Sequence, residues 1–557
     1  MTVLPKDGGT SMFNLGAVNE AIAAAFPDKE AIVFRDRRLM FGQLNDRTRR
    51  LANYLVSRGL GVRTPRSALK PWESGQDQLA LYLFNGNEYL EGMIGAYKAR
   101  VAPFNVNYRY VEEELVYLLN NARSRAIIYH SNFAPRVAAV RASVPSLEVF
   151  IQVADDSGNA LLPGAVDYET VLRQSSPDLP KTEPSPDDLY ILYTGGTTGM
   201  PKGVLWRQAD ILVAALAGRA ADGTILQTLD AYVERAKNVS MKMFPAAPYM
   251  HGAGHWIALT ALHQGNTVFI QSDVERLDPA DILSLIDREK INFLQIVGDA
   301  FARPIVDAIR NGEYDLSSLG VVLSGGAPLN ASIKAEILEL VPHVMIIDGL
   351  GSSEAGGQGS QISNKATGAS TGKFVPGPDN VVVDEALTKV LAPGHDGMGW
   401  WAKRGFVPLG YLDDAAKTER TFVMIDGTRF SVPGDRARHL ADGTIELHGR
   451  DSVTINSGGE KIFAEEVEHA LKHHPAVYDA VVAGRPSERW GQEVVAVVQL
   501  RSGARVTDAE LSAECAKHIA RYKLPKAYVF RDAIVRSPSG KADYRWAKEQ
   551  ATGSSRT

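Results

Sequence analysis

The feature that most restricts the fold is a series of short β-rich runs, each ending abruptly in a glycine loop. "LYILYT" stops at Gly195, "VVL" runs into "SGGAPL", and "VMII" runs into "DGLGSSE". Helical patterns such as "LEGMIGAYKA" and "NASIKAEILEL" separate them. Strands alternating with helices predict α/β layers on largely parallel sheets, whose ligands bind at loops beyond the strand ends. Glycine loops at three such ends point to one site assembled from distant segments.

The chain has 557 residues, enough for a large domain and at least one smaller one. Past "ELHGRDSVTINSGGEKI" the texture changes to short strands ("YDAVVAG", "EVVAVVQL"), a helix "DAELSAECAKHIARY" and then "PKAYVFRDAIV". That α+β pattern predicts a small C-terminal domain over 452–557, following a large multi-sheet N-terminal domain over 1–451. The Pro- and Ser-rich stretches 61–76 and 173–188 read as surface connections.

A net charge of -5, with no long Lys/Arg run, argues against nucleic acid as a partner. The single cysteine, Cys515, rules out an internal disulfide framework and reads as a packing residue. The N-terminal segment lacks the apolar core of a signal peptide, and nowhere do about 18 apolar residues run together. The expectation is a cytoplasmic protein with no transmembrane segment.

The stretch "YTGGTTGMPKGV", Tyr193 to Val204, is built like a phosphate loop but is not a Walker A motif, because Lys202 lies between Pro201 and Gly203. "GLGSSE" places Glu354 where a dinucleotide fingerprint needs its third glycine, and a carboxylate there repels a pyrophosphate unless a cation intervenes. What remains is a loop in which Gly195, Gly196 and Gly199 free the backbone. Thr194, Thr197 and Thr198 offer hydroxyls, and Lys202 offers charge. Such a loop suits the β- and γ-phosphates of ATP.

These strings, in this order, resemble the adenylate-forming superfamily of acyl-CoA and aryl-CoA ligases, luciferases and peptide-synthetase adenylation domains. The resemblance runs from "LMFGQLNDRTRRLANYL" to "RSPSGKADYRW". It implies that "SGGAPL", with Gly325, Gly326 and Ala327, packs on adenine. Ser353 would meet the α-phosphate, and Glu354 would bind Mg2+. Asp435 in "PGD" and Arg450 in "HGR" would hold the ribose; read alone, either residue is more often a surface ion-pair partner. Lys541 in "SPSGKADY" resembles the family's C-terminal catalytic lysine. Two positions depart from the pattern: Leu350 replaces an aromatic, and Ser452 stands where the hinge residue is usually Asp or Lys.

The implied reaction has two halves. A carboxylate attacks the α-phosphate of ATP to give an acyl-adenylate and pyrophosphate, and the thiol of CoA then displaces AMP. The first barrier is largely electrostatic, so the catalytic set would be Lys541, Glu354, Lys202 and Ser353. Relatives rotate the small domain between halves, which would bring Gly458 and Gly459 of "TINSGGEKI" to the pantetheine arm.

"PAAPYMHGAGHW" corresponds to the acyl-pocket mouth, with His251, Gly254, Gly298, Gly349 and Gly351 expected near the acid. No Asp lies between Phe244 and Trp256 to pair an ammonium, which disfavours an amino acid substrate. His251 and His255 have a helical zinc spacing, but Gly252 and Gly254 argue against a helix and no third ligand is evident. "QIVGDAFARP", "NVNYRYVEEEL" and the wording at 455–461 together look like the subgroup of CoA ligases for fatty and steroid side-chain acids. The competing readings are an adenylation-only enzyme that loads a carrier protein and an inactive nucleotide-binding regulator. A homodimer stays open.

Overall fold

The computed structural model describes residues 13–194, 200–450, 453–457, 460–487, 490–537 and 540–553. The expected layers form around a 16-stranded sheet. Its centre is parallel: Thr267–Ile270, Lys242–Pro245, Phe293–Ile296, Val321–Gly325 and Met345–Ser352 pair in that spatial order. The helices Gly252–His263, Pro279–Glu289, Gly298–Asn311 and Ala331–Leu340 make the crossovers. A second, parallel sheet contains Ala102–Asn105, Gln78–Tyr82, Ala126–His130 and Val149–Val153, and every residue of these strands is buried. Burial on both faces explains why they read as unbroken apolar runs without alternation.

Two parts of the architecture depart from the parallel expectation. Leu189–Thr194 and Lys202–Arg207 form an antiparallel hairpin, so the Gly/Thr-rich loop joins two strands and does not lead into a helix. After Ser352 the main sheet becomes antiparallel through Gly356–Ser363, Lys373–Pro376, Ile445–Arg450 and Asp435–His439. The strand beginning "VMII" also runs on through "DGLGS", which the sequence suggested was loop. Pairing on both sides extends it, despite two glycines that carry no β propensity.

The C-terminal unit is a separate five-stranded sheet of Thr454–Ser457, Glu460–Phe463, Val477–Ser487, Gly491–Leu500 and Ala527–Phe530. Helices Ala464–Leu471, Asp508–His518 and Tyr544–Thr552 cover it. Thr507 and Glu510 close a reciprocal capping box that starts the middle helix. Cys515 is fully buried on that helix, and burial pushes its thiol up to about 12, as expected of an unreactive packing residue. Among the described residues no helix is long and apolar enough to cross a membrane.

Asn105 joins three segments at the rim of these sheets. Its Nδ2 donates to the carbonyls of Tyr193 (2.9 Å) and Met250 (2.7 Å), and its Oδ1 accepts from Tyr193 N at 2.8 Å. Asn105→Ala strands buried backbone groups and should destabilise the N-terminal unit by roughly 3 kcal/mol, read by urea denaturation. A change under about 0.5 kcal/mol would mean that water replaces the amide.

Candidate active site

Parallel register decides which loops meet. Pro245 lies opposite Gln295, Gln295 opposite Leu323, and Leu323 opposite Ile347. Two residues further on, Gly325 faces Gly349, so "SGGAPL" and "GLGSSE" emerge side by side. Beyond them opens a cavity of about 950 Å³. Of the residues expected at a site, Thr194, His251, Gly325, Gly326, Gly349, Gly351, Ser353 and Lys541 line it.

The turn that follows Ser352 is held from three directions. Trp206 Nε1 donates to the Ser353 carbonyl at 2.9 Å, Ser431 Oγ donates to the Glu354 carbonyl at 2.5 Å, and Tyr411 Oη donates to Glu354 Oε1 at 2.8 Å. Tyr411 is brought there because Gly410–Tyr411 pairs with Lys202–Arg207. None of these three partners has a local sequence signature; only the sheet pairing reveals them. Lys202 sits on its strand opposite Thr194 and pairs with Asp414, which caps the next helix. Lys417, one turn on, lies 4.0 Å from the Tyr411 ring centre. Burial pushes its amine down while Glu354 opposes that shift. Lys202 and Glu354 thus belong to one charged cluster beside the cavity, although neither lines it. Gly195, Gly196, Thr197, Thr198 and Gly199 lie outside the described residues.

Asp435 and Arg450 are direct cross-strand partners. Asp435 is buried, and Gly434 before it adopts a φ of 104° that favours glycine. The Arg450 side chain, Gly458, Gly459 and Ser452 are outside the described residues. Neither Asp435 nor Ala327 lines the cavity.

The segment around His251 differs from the sequence reading. Gly252–His263 is a helix despite its two glycines, with His251 at its N-cap. A Cβ on Gly254 would lie 2.5 Å from the Ala247 carbonyl, so close packing requires the glycine and outweighs its helix cost of about 1 kcal/mol. Gly298, with φ 54°, has the same character, since a Cβ there would lie 2.4 Å from the Pro328 carbonyl. Both glycines shape the walls without lining the cavity. No metal-binding group of three ligands occurs among the described residues, and His255 has other partners. Its Nδ1 lies 2.6 Å from the Tyr249 carbonyl, and its Nε2 pairs with Tyr190 Oη. Trp256 Nε1 donates to that same hydroxyl at 2.6 Å. A neutral His255 with its proton on Nδ1 satisfies every link, and the chain pins the Trp256 indole as a cavity wall. Trp256, Leu192, Ile257, Leu323 and Leu350 make that wall apolar.

His251 Nε2 is buried and has no hydrogen-bond partner among the described residues. Burial, reinforced by the nearby Lys541 cation, pushes its pKa down to about 3. Lys541 arrives on a tight turn of the C-terminal unit, closed by Ser537 N to the Lys541 carbonyl at 2.8 Å. Gly540, with φ 72°, lets this turn press against Val297 and Ala300, where a Cβ would come within 3.3 Å. The cavity therefore combines an apolar wall, a neutral imidazole, backbone at the strand ends and Lys541 from the second unit, with Glu114, Asp543 and Arg545 also on its lining. Glu354 offers one carboxylate, which suits magnesium brought with substrate phosphates and does not suit an all-protein metal cage.

Residues 19–412 match the family described as AMP-binding enzyme, and residues 466–541 match the AMP-binding enzyme C-terminal domain. The chain is 56% identical to the medium-chain acyl-CoA ligase Mig of Mycobacterium avium, covering 97% of this chain and 99% of that one. It is 40% identical to a 3-oxocholest-4-en-26-oate–CoA ligase of Rhodococcus rhodochrous, with 96% of each covered. The fold matches the anthranilate CoA ligase AuaEII with anthranoyl-AMP at a TM-score of 0.81, 22% identity, and 96% and 97% of the two chains covered.

Burial pushes His255 down to about 4 from an ordinary 6.5. Between those values the unfolded chain binds a proton that the folded chain refuses, so stability is full above about 6.5 and falls as pH drops towards 4. Urea denaturation at pH 7 and pH 5 should show a loss on the order of 2 kcal/mol from this residue. His255→Asn, which keeps a donor for the Tyr249 carbonyl, should flatten the dependence by that amount; an unchanged slope would contradict a buried neutral His255.

Proposed function

The chain belongs to the AMP-binding enzyme family, and from that premise we propose that it is an AMP-forming ligase joining a medium-chain fatty acid to CoA. The observation that carries this reading is the cavity itself, whose lining combines apolar side chains around Trp256 with Lys541 and the motif strand ends. The similarity to the Mycobacterium avium enzyme supports the fatty acid.

In this reading the acid lies along the apolar wall with its carboxylate towards Lys541. The ammonium neutralises both the attacking carboxylate and the α-phosphate, holding two anions in line. Neutral His251 adds no charge to the acyl path. Ser353, on the turn held by Trp206, donates to the α-phosphate. Thr194, Lys202 and the following loop hold the departing phosphates, which displace Asp414 from Lys202. Asp435 accepts from the ribose hydroxyls beside Arg450. Magnesium would supply positive charge against the triphosphate, with Glu354 its protein ligand. No general base is needed, because the nucleophile carries no proton.

We assign residues 1–451 to the nucleotide- and acid-binding domain and 452–557 to the domain that carries Lys541, with CoA reaching the adenylate past Gly458 and Gly459. A cytoplasmic setting fits the lone buried thiol.

Pyrophosphate release and thioester formation across octanoate, dodecanoate, benzoate and a steroid side-chain acid, with and without CoA, test the assignment. Octanoate and dodecanoate should give both products at the highest kcat/KM. No release with any acid would refute the enzyme reading, and release without thioester would refute CoA as the acceptor. A steroid acid as the best substrate would overturn the acyl assignment alone.

A further inference from the structure

A line of buried charges crosses from the N-terminal unit to the turn that carries Lys541. It begins at Asp299, the second residue of Gly298–Asn311, which is 7% exposed. Asp299 Oδ1 accepts from Asn330 N at 2.9 Å, and the Asn330 amide donates to Oδ2. Lys472 of the C-terminal unit reaches across to Asp299 Oδ2 at 3.3 Å and turns its other side to Asp479 Oδ1 at 3.1 Å. Asp479 takes a bidentate grip on Arg536, with both contacts at 2.7 Å. Arg536 Nη1 then donates to the carbonyl of Gly540 at 3.1 Å, and its backbone bridges Ala542. Lys541 is the residue between them.

The charges alternate: Asp299, Lys472, Asp479 and Arg536 sum to zero. All four side chains are nearly buried, so each is tolerable only while its neighbours are present. Burial would push the Lys472 amine down, yet Asp479 and Asp299 hold it above the ordinary lysine value. Glu468 lies nearby, but its carboxylate is occupied by Val482 N at 2.9 Å and by Tyr544 Oη at 3.5 Å. Other contacts also join the units: His469 Nδ1 pairs with the Asn330 side-chain oxygen beside Asp299, Arg501 lies 3.8 Å from Glu336, and Arg303 lies over the Tyr478 ring at 5.3 Å.

We propose that Asp299 is a positioning residue for Lys541, holding it in the cavity through Lys472, Asp479 and Arg536 while touching no substrate itself. The inference rests on the assignment of Lys541 to adenylate formation. Removing the Asp299 charge takes from Lys472 its one carboxylate partner on the N-terminal unit, which loosens the line across the two units and withdraws Lys541. Displacing a reacting group by about 1 Å costs on the order of a hundredfold.

The test uses the full chain with octanoate. Asp299→Asn should lower kcat for ATP–pyrophosphate exchange roughly ten- to hundredfold, with the KM values for ATP and octanoate within about twofold. Thioester formation from supplied octanoyl-adenylate and CoA should be unchanged, and Asp299→Glu should recover most of the exchange. Lys472→Gln breaks the same link from the other unit, so it should match Asp299→Asn, and the double variant should be no worse than either single one. Unaltered exchange, equal loss in both half-reactions, or additive effects in the double variant would overturn the proposal. Lys541→Ala separates the two readings. If it leaves exchange intact, the assignment of Lys541 is wrong. If it abolishes exchange while Asp299→Asn does not, only the positioning inference falls.

Discussion

The structure depends on the register of its central parallel strands. Hydrogen bonding aligns Pro245, Gln295, Leu323 and Ile347 in one row, and every loop beyond that row must open on the same rim. Segments from Tyr249 to Glu354 are thereby brought together without any of them needing to recognise another. The glycines at this rim have distinct duties. Gly325 and Gly349 face each other across the pairing, while Gly254 and Gly298 admit neighbouring backbone where a Cβ would collide.

The second constraint is electrostatic. Bringing a carboxylate to a triphosphate requires cations that are present but not permanently neutralised. The structure separates its charges accordingly. Lys202, Asp414, Lys417 and Glu354 cluster beside the cavity, Lys541 enters from the other unit, and the wall around Trp256 is apolar. His251 and His255 lie along that wall, and burial keeps both imidazoles neutral near pH 7. Dividing the cations between two units makes the site conditional on their docking.

Much of this was legible in the sequence, where loop chemistry is local. The strands at "LYILYT", "VVL" and "VMII", both quoted helices and the C-terminal strands stand where the residues imply. Gly325, Gly349, Ser353 and the distant Lys541, read from three separate strings, line one cavity. What escaped was tertiary in origin. The hairpin around the Gly/Thr-rich loop reflects pairing with Gly410–Tyr411, and the helix after His251 persists because glycine is the only residue that packs there. His255 shows the same limit. Its spacing from His251 suggests a metal, but Tyr190 and the Tyr249 carbonyl occupy both of its nitrogens. Asp299 lies within the quoted "QIVGDAFARP", yet nothing in that string points to Lys472, and only folding makes them neighbours.

The central claim is that a substrate carboxylate attacks the α-phosphate of ATP in this cavity and leaves one of its oxygens behind. Turnover of oxygen-18-labelled octanoate with ATP and CoA, followed by mass spectrometry of the nucleotide, reads that event directly. The account predicts a single heavy oxygen in AMP and none in pyrophosphate. Unlabelled AMP, or heavy oxygen appearing in inorganic phosphate with ADP as the nucleotide product, would contradict it.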